Sequence, residues 1–291
     1  VKAVFITPRS NDIASVISAW ESLGHTSTRI SFSHDAEKED PSLLASVSRY
    51  SYADLAFYVG AVGCPGIPSI ETLKEINSIL PTVHLCFDGG DLLWRPMLRT
   101  YTQARCFRFQ VSIDGHPDAP ADLITLAPVD PRPFHGDVHR TIHCGFSGNF
   151  NRRDPRGKIL VPLIERGFVE LRERMCEGET LAGYDEHVFF TRRCELLINT
   201  SFAGSGFVNH VKQRVVECGF AGCALLEDSL SPIHLWFPPE SYFSYTTWED
   251  AREKIRVLGK REIKAKAEEL SKHVRADHTP EKVYGKILAK L

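Results

Sequence analysis

Apolar and polar positions fall into two series of alternating strands and helices. In the first, residues 1–7 (VKAVFIT) read as a strand. Ile13, Val16, Ile17, Trp20 and Leu23 then recur at helical spacing, and Gly24 closes that helix. Residues 26–32 alternate as a second strand, 34–41 read as a polar loop and 43–49 as a helix. Residues 55–59 (LAFYV) form the short continuous apolar run of a central parallel strand covered on both faces. A Gly- and Pro-rich loop over 60–68 follows, then a helix over 69–80 and a strand over 82–87 that runs into Asp88-Gly89-Gly90-Asp91. Residues 109–113 complete the series as another strand.

Pro117, Pro120, Pro128, Pro131 and Pro133 exclude a regular helix over 117–136 and mark an interdomain linker. The second series has strands over 141–146, 195–199 and 223–227. Its helices begin at 157 and cover 211–220, 248–258 and 262–275. Strands alternating with helices predict parallel sheets, which bind ligands at the C-terminal strand ends. The expected division is an N-terminal lobe over 1–136, a C-terminal lobe over 137–272, and a closing helix over 273–291 that packs back on the N-terminal lobe.

A chain of 291 residues suits two such lobes. Its 43% hydrophobic content supports two cores and excludes a disordered chain. A net charge of −2 gives no overall field toward nucleic acid or membrane. No apolar run reaches the length of a membrane span, so the expected location is cytoplasmic. The eight cysteines form no C-x-x-C pair and read as reduced, buried small hydrophobes.

Three constellations could carry chemistry. Ser147, Gly148 and Asn149 form a small-residue turn between strand and helix, where backbone N–H groups can approach an anion, with Arg152 close behind. The bland alternative is an ordinary turn with solvated arginines. The second is the loop over 199–209, containing Gly204, Gly206 and Asn209, followed by His210, Lys212, Arg214 and Glu217. Lys212, read as lying in the first helical turn, and Arg214 would neutralise a diphosphate, while Glu217 would accept hydrogen bonds from hydroxyls; a surface ion pair is the alternative. No P-loop and no G-x-G-x-x-G fingerprint is present. The third is Asp88 and Asp91, either a general base or turn chemistry, with His84 read as a core histidine.

The block KQRVVECGFAGCALL over 212–226 resembles the K-x-R-x-x-E segment of GT-B glycosyltransferases, most closely the CgeB-like, spore-maturation-type group. GFSGN over 145–149, LLIN over 196–199, the segment from Phe237 to Asp250, and Asp277-His278-Thr279 with Tyr284 agree with that group in order. The resemblance covers roughly 140–290. It implies an α/β protein of two Rossmann-like lobes with parallel sheets facing a cleft.

The implied activity is a hexosyl- or related transferase acting on a nucleotide-sugar such as a UDP-sugar. The acceptor, which is a glycan, a small molecule or modified nucleic acid, is expected on the N-terminal lobe. By resemblance, Arg214 and Lys212 attend the donor phosphates, Glu217 the ribose or sugar hydroxyls, and Ser147 to Asn149 the glycine turn. Tyr184 lies in the loop expected to meet the base, and no metal or other cofactor is expected. Asp88 or Asp91 would be the base of an inverting enzyme. A non-catalytic nucleotide- or sugar-binding protein and a phage-type DNA-modifying glycosyltransferase, the latter suggested by Arg152, Arg153 and Arg156, are the alternatives.

Overall fold

The computed structural model describes residues 1–8, 13–32, 36–60, 67–148, 150, 152–172, 181–204 and 206–291. The chain forms two compact units, one of Val1–Asp130 with Pro280–Leu291 and one of Pro131–Thr279.

The first unit contains β1 (Lys2–Pro8), α1 (Ala14–Glu21), β2 (Thr26–Phe32), α2 (Ala36–Ser48), β3 (Leu55–Tyr58), α3 (Ile70–Ile79), β4 (Thr82–Cys86), α4 (Arg95–Ala104), β5 (Phe109–Ser112) and β6 (Leu123–Ile124). Its sheet is parallel, in the order β2-β1-β3-β4-β5-β6. The central strands β3 and β4 are buried at every residue, β3 as an unbroken apolar run and β4 with Thr82 and His84 buried among its apolar residues.

Alternate side chains feed two cores. Phe5 and Phe57 pack with Trp20 on one, and Ile6 and Tyr58 pack with Leu73 and Leu98 on the other.

The second unit contains β7 (Ile142–Ser147), α5 (Pro155–Glu165), β8 (Glu170–Arg172), α6 (Leu181–Arg193), β9 (Cys194–Ile198), α7 (Gln213–Ala221), β10 (Ala224–Asp228), β11 (Phe243–Tyr245), α8 (Trp248–Val257) and α9 (Lys260–Asp277). Its order, β11-β10-β9-β7-β8, repeats that of the first five strands of the first unit. Each sheet therefore has one point where the strand order reverses, between β1 and β3 and between β7 and β9. Such a point opens a crevice at the C-terminal strand ends.

The last helix, α10 (Pro280–Leu288), belongs to the first unit. Tyr284 packs its ring 5.0 Å from that of Trp20 and donates its hydroxyl to the Val16 carbonyl at 2.7 Å.

Several elements differ from the sequence reading. Helix α2 begins at Ala36, so the segment read as a polar loop is mostly helical and Pro41 lies inside it. Ala, Glu and Lys are strong helix formers, and they prevail there over polarity and one proline. Helix α6 and strands β6 and β8 carry no clear apolar period and were not anticipated; nor was α4, although Trp94, Met97, Leu98 and Tyr101 recur at helical spacing. Helix α5 starts at Pro155, two residues early, because Asp154 caps it by accepting from Gly157 N at 2.7 Å. Lys212 is the N-cap of α7, with extended backbone, rather than a residue of its first turn.

Candidate functional site

The reversal point of the second unit lies between the ends of β7 and β9, and most of the anticipated donor residues gather around it. β7 ends at Ser147, and Gly148 follows with φ +144°. A Cβ on Gly148 would lie 3.2 Å from Arg214 Nη2 and 3.3 Å from its Cζ. Glycine is therefore required both by the backbone and by the approach of that guanidinium. Arg214, in the first turn of α7, also places its Cζ 4.8 Å from the Phe146 ring centroid. The N-terminus of α7, a fixed cationic group and a glycine turn thus converge, the combination that holds an anion. Asn149 lies outside the described residues, as do the loop over 61–66, most of the segment over 7–11, Cys64 and Cys176.

After β9 the chain turns back on itself. Phe202 and Asn209 form an antiparallel bridge, Ala203 N donates to the Val208 carbonyl at 2.7 Å, and Ser201 Oγ lies 2.7 Å from Asn209 Oδ1. Gly204 is exposed, and Gly206 takes φ +75° beside Pro155. His210 is buried and accepts from Lys212 Nζ. Lys212 is thereby held at the start of α7.

Glu217 is 3% exposed and is the end of a hydrogen-bonded chain. Its Oε1 accepts from Gln213 Nε2 at 2.8 Å, and its Oε2 lies 2.8 Å from His187 Nε2. His187 Nδ1 is 2.7 Å from Ser147 Oγ. Ser147, His187 and Glu217 thus link the end of β7 to α7 through α6. His187 was missed in the sequence because it lies on α6. Tyr184, on the same helix, is buried with its ring centroid 6.1 Å from that of His187.

A second buried layer lies at the ends of β9, β10 and β11. Asn199 Nδ2 donates to Glu227 Oε2 at 2.8 Å, and Tyr245 donates its hydroxyl to the Asn199 carbonyl at 2.7 Å. Burial raises Glu227 to about 7, and the charge of Arg214 opposes the rise. Asp228 is also raised by burial, although it accepts from Leu230 N at 2.9 Å and lies 3.1 Å from Ser201 Oγ.

Not every anticipated residue joins this site. Arg152 is exposed and pairs with Glu165 at 2.9 Å. Arg156 donates to the Phe202 carbonyl at 2.6 Å. Two of the three arginines that suggested a nucleic-acid surface are therefore engaged within the unit.

In the first unit, Asp88 and Asp91 stand after β4 but differ. Asp91 is fully buried and accepts from Leu93 N at 3.1 Å, a turn role, while the N-cap of α4 is Trp94. Asp88 is half-buried. The turn between them needs its glycines, since a Cβ on Gly90 would meet the His116 ring at 2.3 Å and one on Gly89 would meet Ser112 Oγ at 2.5 Å. Asp114, which no motif revealed, fixes the turn by accepting from Gly90 N at 2.9 Å and from Ser112 Oγ at 2.5 Å. His84 is buried, bonds Gln110 at 2.9 Å and is lowered to about 4 by desolvation, as a core histidine.

Six cysteines of the described residues are free thiols. Among the described residues, no cluster of three His, Cys, Asp or Glu side chains could hold a metal ion, and no helix is long and apolar enough to cross a membrane.

No protein-family model matches the chain, and no curated protein sequence matches it. Solved structures do. HepE of Anabaena in complex with UDP and glucose superposes with a TM-score of 0.67 at 10% identity over 100% of both chains. AviGT4, a glycosyltransferase involved in avilamycin A biosynthesis, gives 0.54 at 12% identity over 100% of this chain and 96% of that one. Sucrose-phosphate synthase from Thermosynechococcus elongatus gives 0.52 at 10% identity over 100% of both. These neighbours are GT-B glycosyltransferases, and the two parallel-sheet α/β units of this chain have the GT-B fold.

Proposed function

We propose that the chain is a glycosyltransferase that moves a sugar from a nucleotide-diphosphate donor to an acceptor hydroxyl. The observation that carries this reading is Arg214 packed on Gly148 at the N-terminus of α7, where the strand order reverses. HepE is described in complex with UDP and, separately, with UDP-glucose, which makes a uridine nucleotide the first donor to test. The motif order over 140–290 further suggests the CgeB-like group within this fold.

In the proposed reaction an acceptor oxygen attacks the anomeric carbon. The bond from that carbon to the diphosphate breaks, and its electron pair leaves on the diphosphate. Arg214, Lys212 and the α7 dipole meet the charge that develops there, which is the metal-independent reading. Tyr184 and the Gly204 to Asn209 hairpin complete the donor side. Glu217 acts mainly by ordering the site, since both carboxylate oxygens already have partners within the unit. For an inverting transfer, Asp88 takes the acceptor proton, because Asp91 is fully buried in the turn.

Calorimetry with UDP, GDP and dTDP tests the reading. It requires one of the three to bind wild type and Arg214→Ala to bind it at least tenfold more weakly. Equal binding by the variant would refute the donor-site assignment.

A further inference from the structure

We propose that occupation of the donor site takes up one proton, held by His187, so that donor affinity falls as pH rises. The inference rests on the donor-site reading above and adds to it a coupling between ligand and proton. A carboxylate only accepts hydrogen bonds, so His187 Nε2 carries a hydrogen and donates to Glu217 at 2.8 Å. The other bond, 2.7 Å between Nδ1 and Ser147 Oγ, then has two arrangements that differ by one proton.

With a neutral imidazole, Nδ1 accepts and Ser147 commits its only hydroxyl proton to it, so lone pairs alone face the remaining surroundings. With an imidazolium, Nδ1–H donates to Ser147 Oγ, and the hydroxyl proton is released to point elsewhere. Ser147 adjoins Gly148, the residue against which Arg214 packs. A diphosphate seated on that turn offers only acceptor oxygens. It is repelled by the lone pairs of the first arrangement, and in the second it gains a hydroxyl donor and a buried positive charge. The anion therefore selects the protonated arrangement, and mass action makes the selection a proton uptake.

The elements packed against α6 are β7, β9, α7 and the short helical turn Arg132–Phe134. They bring Glu217, Arg214 and Cys218 from α7, His143 and Cys144 from β7, Glu195 and Cys194 from β9, and Arg132 from the turn. α6 itself adds Tyr184, Asp185, Glu186, Arg192 and Arg193. Several have partners elsewhere: His143 bonds Glu195 and the Ile255 carbonyl, Glu186 pairs with Arg172, and Arg192 reaches the Gly136 carbonyl. Glu217 is the charged group bonded to the imidazole. Glu227, raised to about 7 by burial and lowered in part by the charge of Arg214, is the competing site of proton uptake.

The test is calorimetric titration with UDP-glucose, whose diphosphate diester does not ionise near neutrality. It is run at pH 7.5 in two buffers of different ionisation enthalpy. Wild type is expected to take up roughly 0.5–1 proton per ligand bound. His187→Gln is expected to bind with that uptake lost, Ser147→Ala with it reduced, and Glu227→Gln to retain it. Binding to wild type without proton uptake overturns the inference while leaving the donor site standing. So does uptake that persists in His187→Gln, a variant that removes the imidazole proposed to hold the proton. Should His187→Gln fail to fold, Glu227→Gln decides: uptake retained there supports His187, and uptake lost there overturns the inference. Absence of binding to wild type would count against the donor-site reading itself, and the inference would fall with it.

Discussion

The guanidinium of Arg214 fills the space that a side chain on Gly148 would need, with Nη2 3.2 Å from the Cβ position. The sequence places these residues far apart, and the fold makes each the other's constraint. Gly148→Ala adds a methyl at φ +144°, where the backbone strain costs about 1–3 kcal/mol. It also displaces Arg214. The variant is expected to melt lower and to bind UDP at least tenfold more weakly, as read by thermal melting and calorimetry.

Arg214→Lys is expected to recover little of what Arg214→Ala loses. A lysine keeps the charge but lacks the planar fork that packs on Phe146 and Gly148. Binding of UDP to the two variants within threefold of each other would agree; near-wild-type binding by the lysine variant would show that charge alone suffices.

Glu227 gives a pH dependence of stability whose sign follows from its burial. Its pKa is raised from 4.5 to about 7 in the folded chain. Between those values the folded state holds a proton that the unfolded state has released, so stability falls as pH rises and levels off above about 7. The full effect is on the order of 3 kcal/mol. Glu227→Gln is expected to remove this decline, so that the variant gains on wild type between pH 5 and pH 8 in denaturant titrations.

Arg140 ties the end of α7 to the start of β9. Its guanidinium donates to the carbonyls of Ala221 at 2.7 Å, Gly222 at 2.8 Å, Arg192 at 3.2 Å and Cys194. Arg140→Met leaves those carbonyls without their charged donor, at a cost of about 2–4 kcal/mol. The expected outcome is a lower melting temperature with UDP affinity within about twofold of wild type.

Asp88 and Asp91 separate by readout. Asp91→Ala removes a buried turn acceptor and is expected to cost about 1–3 kcal/mol in a denaturant titration. Under an inverting mechanism, Asp88→Asn leaves melting unchanged and lowers transfer about 10²–10⁴-fold. An unchanged transfer rate would assign the reaction to retention or to another base.

The sequence shows the parallel strands because both sheets are buried on two faces, which leaves unbroken apolar runs such as residues 55–58 and 224–226. It also shows Gly148, Lys212, Arg214 and Glu217, because a turn and a helix start have local chemistry. The spacing of Trp94, Met97, Leu98 and Tyr101 marks α4, whereas the apolar positions of α6 follow no clear period and do not show it. With α6 the sequence hides His187, which joins Ser147 to Glu217 only once three separate elements have packed. Arg152 illustrates the reverse, since its place in the sequence suggested an anion ligand and its reach in the fold is to Glu165.

The most direct test of the donor-site assignment is a crystal structure of the chain grown with UDP. The account predicts diphosphate oxygens within hydrogen-bonding distance of the Arg214 guanidinium and of backbone N–H groups in the first turn of α7, since the Gly148 N–H already donates to the Arg172 carbonyl at 3.2 Å. A diphosphate seated elsewhere, with Arg214 still packed on Gly148 and making no contact with it, would contradict the assignment.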